Sequence, residues 1–459
     1  MATRKDLLKA QSFTSRRMIA AFVDRDPDDP TPPLRRVGTA TFVSVLLGVV
    51  LLAGTTLLGL LGGGTANDSW KNEQDVILSD PQSGALFVYT EDKLYPMADV
   101  ASARLLAAGA DPKGQPRVIE VKTEALRGQV QQGTMGIPGS PRQLPSSKDL
   151  ANYPIRLCSV PLNGHDQPYL TLEFGSSTPA RDDIAVVARH SNGTDYLVYG
   201  GQTHQLYARP GQQSSLIGNL PVITPGDGWI ASLPGGVPIN PRPVEGYGSA
   251  GSENMSVGKM AYVDDGDRDR YYIQLTGGLS RISYLEMKAI QQEYGDTAEP
   301  TKLDDVQVTR RLNADIPTFT QDGIPLDQPT PPASFSSEKV QVCATFQKDA
   351  PGRIALDIGG ETNDIPSNAP APLGRYIDRV MLPALSGALL SNADADEAPG
   401  SATLLLDGKA YFIPTMKDRT ALGYGDVTPM PVPGGLVNLL PPGLSEGSKL
   451  SRDMIVPIR

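Results

Sequence analysis

The chain has 459 residues, enough for two or three domains and for a sizeable buried core. Glycine and proline contribute 47 and 41 residues and aromatics only 6%, which suits short strands and tight turns better than long packed helices. The formal net charge is −10 and unevenly spread: residues 1–36 hold eight Lys/Arg against five Asp/Glu, residues 37–459 hold 33 against 46, and so acidic a body excludes nucleic acid as a partner.

Residues 1–24 place Leu7, Leu8, Met18, Ile19, Phe22 and Val23 at roughly helical spacing with basic residues between them, predicting one short amphipathic helix. A helix of that size has no core of its own, so its apolar side needs a protein partner or a membrane surface. Residues 25–36 follow as a proline-rich connector, with prolines at 27, 30, 32 and 33 that stop the helix.

No charged residue occurs from Val37 to Asn67, and residues 37–63 are long enough to cross about 30 Å of hydrocarbon. A cleaved signal peptide would instead need an apolar stretch of about 7 to 15 residues, far shorter than this one. Arg35 and Arg36 flank one end, while the first basic residue beyond the other is Lys71. The positive-inside rule then predicts a cytoplasmic N-terminus and an exported body over residues 64–459.

That body repeats a unit: a strand, a tight turn, a second strand containing Tyr, and in several copies a later Pro-Gly turn. The hairpin signatures are ALFVYTEDKLYPM, DYLVYGGQTHQLY, RYYIQLTGGLSRISY and ATLLLDGKAYFIP, each broken where positive φ is cheap or a side chain caps the turn. Four repeats are expected, near 80–145, 190–245, 268–315 and 395–450, at intervals too uneven for a solenoid. Residues 150–180 and 335–360 read as strands of a central module. Short helices are expected in ADVASARLLAAG and GRYIDRVMLPALSGALLS, giving an α+β class, and residues 310–338 read as surface loop.

Cys158 and Cys343 are the only cysteines, both in strand-like settings in an oxidising compartment. Either they bridge, or they are two buried thiols. A bridge closing so long a loop would contribute roughly 4 to 5 kcal/mol in the chain-entropy account.

The chemical motifs are sparse. There is no P-loop: the stretch from Gly443 to Lys449 is one residue short between its glycines and carries Ser448 before Lys449. The three histidines, His165, His190 and His204, form no HExxH or Cys/His set for zinc and read as surface residues. The run from Asp264 to Arg270 lacks EF-hand order and reads as a charged turn. No catalytic, cofactor or metal residue can be assigned. An ATP-hydrolysing component with an unrecognised site and a membrane-anchored cell-wall-binding module are the competing functional readings.

Gln11-Ser12-Phe13, Arg16-Arg17-Met18, the acidic proline linker, one apolar span and Ser69-Trp70 follow in fixed order. Together with the GIPGSP and VPGG turns, VDDGDRDRYY and the two cysteines, this order resembles EccB, a core membrane subunit of type VII (ESX) secretion systems. The resemblance covers essentially the whole chain. It implies four β-rich repeats around a central strand module, a Cys158–Cys343 disulfide, and a single-pass place in the inner membrane with a periplasmic body. It also implies partners: the FtsK/SpoIIIE-like ATPase EccC, the EccD and EccE membrane subunits, and self-association through the exported domain. On that reading Leu7, Leu8, Phe13, Met18 and Phe22 dock on partner subunits, while Arg16 and Arg17 meet acidic partner groups or lipid headgroups.

Overall fold

The computed structural model describes residues 4–23, 43–45, 47, 69–108, 115–175, 180–181, 183–207, 218–266, 268–313, 315–316, 318–333, 335, 340–359, 365, 369–372, 374–395 and 398–458. Contacts divide the chain into two units, Met1–Ser69 with Val121–Arg127, and Trp70–Glu120 with Gly128–Arg459.

In the first unit, Arg4–Val23 is a single α-helix. It contains no glycine or proline, and Asp6 in its first turn complements the helix dipole. Among the described residues no helix is long and apolar enough to cross a membrane. The expected span over residues 37–63 lies almost wholly outside them; only residues 43–45 and 47 are described, as helix with exposed side chains. The connector over residues 25–36 also lies outside the described residues.

The second unit repeats one topology four times. A strand and a hairpin form a three-stranded antiparallel meander, and the chain later returns as a short strand parallel to the first. In the first repeat the meander is Val76–Ser79, Leu86–Thr90 and Lys93–Met97, and Val118–Glu120 returns beside Val76–Ser79. The second uses Val186–Arg189, Asp195–Tyr199 and Gln202–Gln205, with Val222–Ile223 returning. The third uses Met260–Val263, Arg270–Leu275 and Gly278–Ile282, then Thr301–Lys302. The fourth uses Ala388–Asn392, Ala402–Leu406 and Lys409–Ile413, then Met430–Val432.

Each copy then touches its own third strand again through a parallel bridge: Leu94 with Gln131, Thr203 with Gly235, Leu279 with Leu312, and Ala410 with Pro442. Both edges of every meander are thereby covered, which removes the open strand edges that favour sheet-to-sheet association. In the first repeat the C-terminal strand Val456–Pro457 extends the sheet further by pairing with Met135–Gly136.

Local chemistry explains the turns and helix starts. Glu91 and Asp92, Gly200 and Gly201, and Asp407 and Gly408 all have positive φ, the combination that matches a two-residue turn to the twist of its strands. After the third strand, helices begin at Val100–Ala107, Tyr284–Tyr294 and Met416–Leu422. Their N-caps Asp99, Ser283 and Thr415 accept from the amides of Ser102, Glu286 and Asp418, satisfying donors that would otherwise be orphaned.

The central sheet has five strands in the order Ala350–Ile358, Val342–Gln347, Ile155–Val160, Tyr169–Phe174, Arg379–Met381. Cys158 and Cys343 sit directly opposite one another on adjacent strands and are disulfide-bonded, closing a separation of 185 residues. Beside them Arg156, 3% exposed, reaches Asp357 at 2.7 Å and Glu173 at 3.8 Å. The opposite face of the sheet carries Ile155, Leu157, Leu170, Leu172, Phe346 and Leu356 into the main core.

That core draws on the second repeat through Val186, Val198 and Trp229, and on the fourth through Leu390, Val432 and Leu436. Trp229 Nε1 donates to the Leu157 carbonyl at 3.2 Å. The first repeat packs on the fourth through Leu105 and Leu404, and the third packs on the second through Leu285 and Val187. The main core therefore joins the central sheet to the second and fourth repeats, with the first packed on the fourth and the third on the second.

Three expectations need correction. GRYIDRVMLPALSGALLS is not helical: Arg379–Met381 completes the central sheet and Ala388–Asn392 opens the fourth repeat. Pro383 cannot continue a helix, and Leu385 stands at φ 61°. His204 is completely buried, not a surface residue. The stretch 310–338 is not merely surface either, since Ile324 is buried against Val187 and Leu197.

Candidate functional site

The helix Arg4–Val23 carries its large apolar side chains in the open: Leu7, Leu8, Phe13, Met18, Ile19 and Phe22 are all exposed, Phe22 at 89%. At about 100° per residue, Leu7, Leu8, Met18, Ile19 and Phe22 fall within an arc of about 120°. Ser15, Met18, Ile19 and Phe22 line a shallow depression on that side. Phe13 points to the opposite side, where the Arg17 guanidinium lies 5.8 Å from its ring centre. Arg16 falls beyond the edge of the stripe, near Lys5 and Lys9 in the helical projection. The structure therefore splits the seven expected docking residues between faces: Leu7, Leu8, Met18 and Phe22 on one, Phe13 and Arg17 away from it, Arg16 on the flank.

The second unit has a groove of about 1000 Å³ where the second-repeat hairpin, the acidic turn of the third repeat and residues 323–331 meet. Asp183, Tyr199, Arg268, Asp269, Asp327 and Arg353 line it. Most of its charges are matched. Arg268 pairs with Asp327 at 2.7 Å, and hydrogen bonds from Arg181 hold the Asp183 carboxyl below the ordinary carboxylate range. Burial pushes the Tyr199 hydroxyl above its usual pKa. Among the described lining residues there is no histidine, cysteine or serine; Thr330, Tyr199 and the aspartates are its candidate reactive groups.

The acidic turn itself is cross-braced: Asp264 pairs with Lys302 at 2.8 Å, and Arg270 with Asp265 at 3.3 Å and Asp305 at 2.6 Å. Asp264 and Asp265 are thus paired with cations of the protein, the Tyr271 hydroxyl donates to Asp269, and no group of three or more metal-ligating side chains occurs among the described residues. The stretch from Gly443 to Lys449 is a loop whose Gly443 amide donates to the Ala410 carbonyl. The next element is the short 3-10 turn Arg452–Met454, not the long helix whose N-terminus would face a phosphate.

Sequence reasoning missed the groove and the buried His204. The groove's charged residues are distant in sequence and reveal nothing until the fold assembles them. Ser283 and Glu286, spaced as a capping box, with Gly295 as a C-terminal stop, were the available signal for the helix Tyr284–Tyr294.

Four copies of one strand topology, a central sheet crossed by the Cys158–Cys343 disulfide and a helix with exposed apolar side chains define the class of protein. The chain belongs to the EccB family of type VII secretion systems: the family described as "Type VII secretion system ESX-1, transport TM domain B" matches residues 1–455. The ESX-5 secretion system ATPase EccB5 of Mycobacterium marinum is 25% identical over 460 residues, covering 90% of this chain and 85% of the relative. The ESX-2 secretion system ATPase EccB2 of Mycobacterium tuberculosis is 25% identical over 293 residues, 60% of this chain. The match spans only 56% of that relative's length. Among solved structures, a chain of an intact ESX-5 inner membrane complex aligns with TM-score 0.57 and 20% identity, covering 99% of this chain and 95% of that one. The EccB3 dimer from the ESX-3 core complex aligns with TM-score 0.59 and 22% identity over 83% of this chain and 99% of its own. These likenesses establish a shared fold.

Proposed function

We propose that this chain is a structural core component of a type VII secretion complex in the inner membrane, linking cytoplasmic subunits to an extracytoplasmic oligomer. One observation carries the reading: the family match runs from residue 1 to residue 455 and so takes in the exposed helix, the apolar stretch and the repeats as one unit. Residues 37–63 are the single span, with the N-terminus inside and the repeats in the periplasm, as the Arg35–Arg36 flank favours. The helix Arg4–Val23 is the cytoplasmic docking element: Phe13 and Arg17 face partner subunits, and the stripe of Leu7, Leu8, Met18 and Phe22 with Arg16 at its flank meets a partner or the membrane surface. An EccC-type ATPase and EccD- and EccE-type subunits are the expected neighbours, and the dimeric relative supports self-association of the outer domain.

ATP hydrolysis, the activity in the relatives' names, is the alternative reading, at a site that no motif of this sequence marks. The function is tested by removing the chain from its own cells and following export of small type VII substrates. Secretion is expected to stop and to return with the full chain; secretion that continues without it overturns the proposal.

A further inference from the structure

The helix Arg4–Val23 has two unlike sides, and the occupant of the larger can be argued from charge and tether length. Leu7, Leu8, Met18, Ile19 and Phe22 form a continuous exposed stripe. In the helical projection Arg4 lies within that stripe, Lys5 and Arg16 lie beside one of its borders, and Lys9 lies further round toward Phe13. The one acidic residue of the helix, Asp6, lies on the far side with Phe13 and Arg17. An apolar stripe bordered by cations fits a surface that is greasy beneath and anionic at the rim. The thirteen residues 24–36 reach at most about 45 Å when fully extended, which keeps the helix beside whatever the apolar stretch after Arg36 enters.

We propose that the stripe face of Arg4–Val23 lies on the anionic cytoplasmic leaflet of the membrane, with Arg4, Lys5 and Arg16 on phospholipid headgroups. The Phe13–Arg17 face is thereby turned away from the bilayer and left open to a protein. This rests on the reading of residues 37–63 as a membrane span. The lipid contact sets the height and direction at which the outward face is presented, because a helix lying flat has lost most of its rotational freedom about the tether.

The test uses the full chain in nanodiscs of phosphatidylcholine alone, or with a third of the lipid replaced by phosphatidylglycerol, and reads amide hydrogen exchange over residues 4–23. Exchange is expected to slow at least tenfold in the anionic discs, to recover in high salt, and to recover in a variant carrying Arg4→Gln, Lys5→Gln and Arg16→Gln. Each charge near an anionic surface is worth roughly fivefold in binding. Phe13→Ala is expected to leave the lipid-dependent protection unchanged. Equal exchange in both kinds of disc, or protection that arises only when partner subunits are added, overturns the proposal. A chain released from the discs by alkaline carbonate contradicts the spanning reading itself; a chain that stays anchored with an unprotected helix contradicts only the leaflet contact.

Discussion

His204 shows how one buried side chain sets a pH limit on the second repeat. Its Nδ1 lies 2.8 Å from the Val237 carbonyl, which can only accept, so Nδ1 carries the proton in the neutral ring. Nε2 is buried without a hydrogen-bond partner, and Gly236 packs against the ring so closely that any Cβ there would collide with it. Burial lowers the pKa of His204 below its usual value, so between that lowered value and about 6.5 the unfolded chain binds more protons than the folded one. Stability therefore falls as pH drops below about 6.5. The urea midpoint of the full chain is expected to fall between pH 7 and pH 5 less steeply in His204→Gln than in the parent; parallel slopes would count against this. Nothing in the sequence around His204 marks it, because its burial depends on a loop some thirty residues later in the chain.

At the scale of elements, the hairpins were legible and the closures were not. Positive-φ residues at the turns announce the second and third strands of the first, second and fourth meanders, but the returning strands Thr301–Lys302 and Met430–Val432 are two and three residues long, too short to show a period. The misread segment 374–391 failed for a related reason. Small and aliphatic residues suit a buried strand as well as a helix, and only its place beside Thr171–Glu173 settles which. The VPGG turn has a packing explanation. A Cβ on Gly435 would overlap the carbonyl of Ala231, so this glycine lets the fourth repeat's helix Gly434–Leu439 approach the second repeat's Asp227–Ala231. Gly435→Ala is expected to destabilise by about 1–3 kcal/mol in urea unfolding. Gly352→Ala, which meets open space, is expected to stay within about 0.5 kcal/mol of the parent. Equal losses in the two variants would refute the packing account.

For the whole molecule, packing runs from the first repeat to the fourth, the central sheet, the second and the third, and the Cys158–Cys343 bond lies at the middle of that series. With a sequence separation of 185 between its cysteines, it is expected to contribute about 5 kcal/mol in the chain-entropy account. Reduction and the double variant Cys158→Ser/Cys343→Ser should therefore lower the urea midpoint by the same large amount; an unchanged midpoint would remove the bond from the stability argument. The central claim is that this body and the helix Arg4–Val23 are two ends of one joint in a secretion complex. Its most direct test is purification of the full chain from its own membranes in mild detergent, followed by mass measurement and identification of what accompanies it. The account predicts a large assembly containing an FtsK/SpoIIIE-like motor ATPase and a multi-spanning subunit; the chain recovered alone would contradict it.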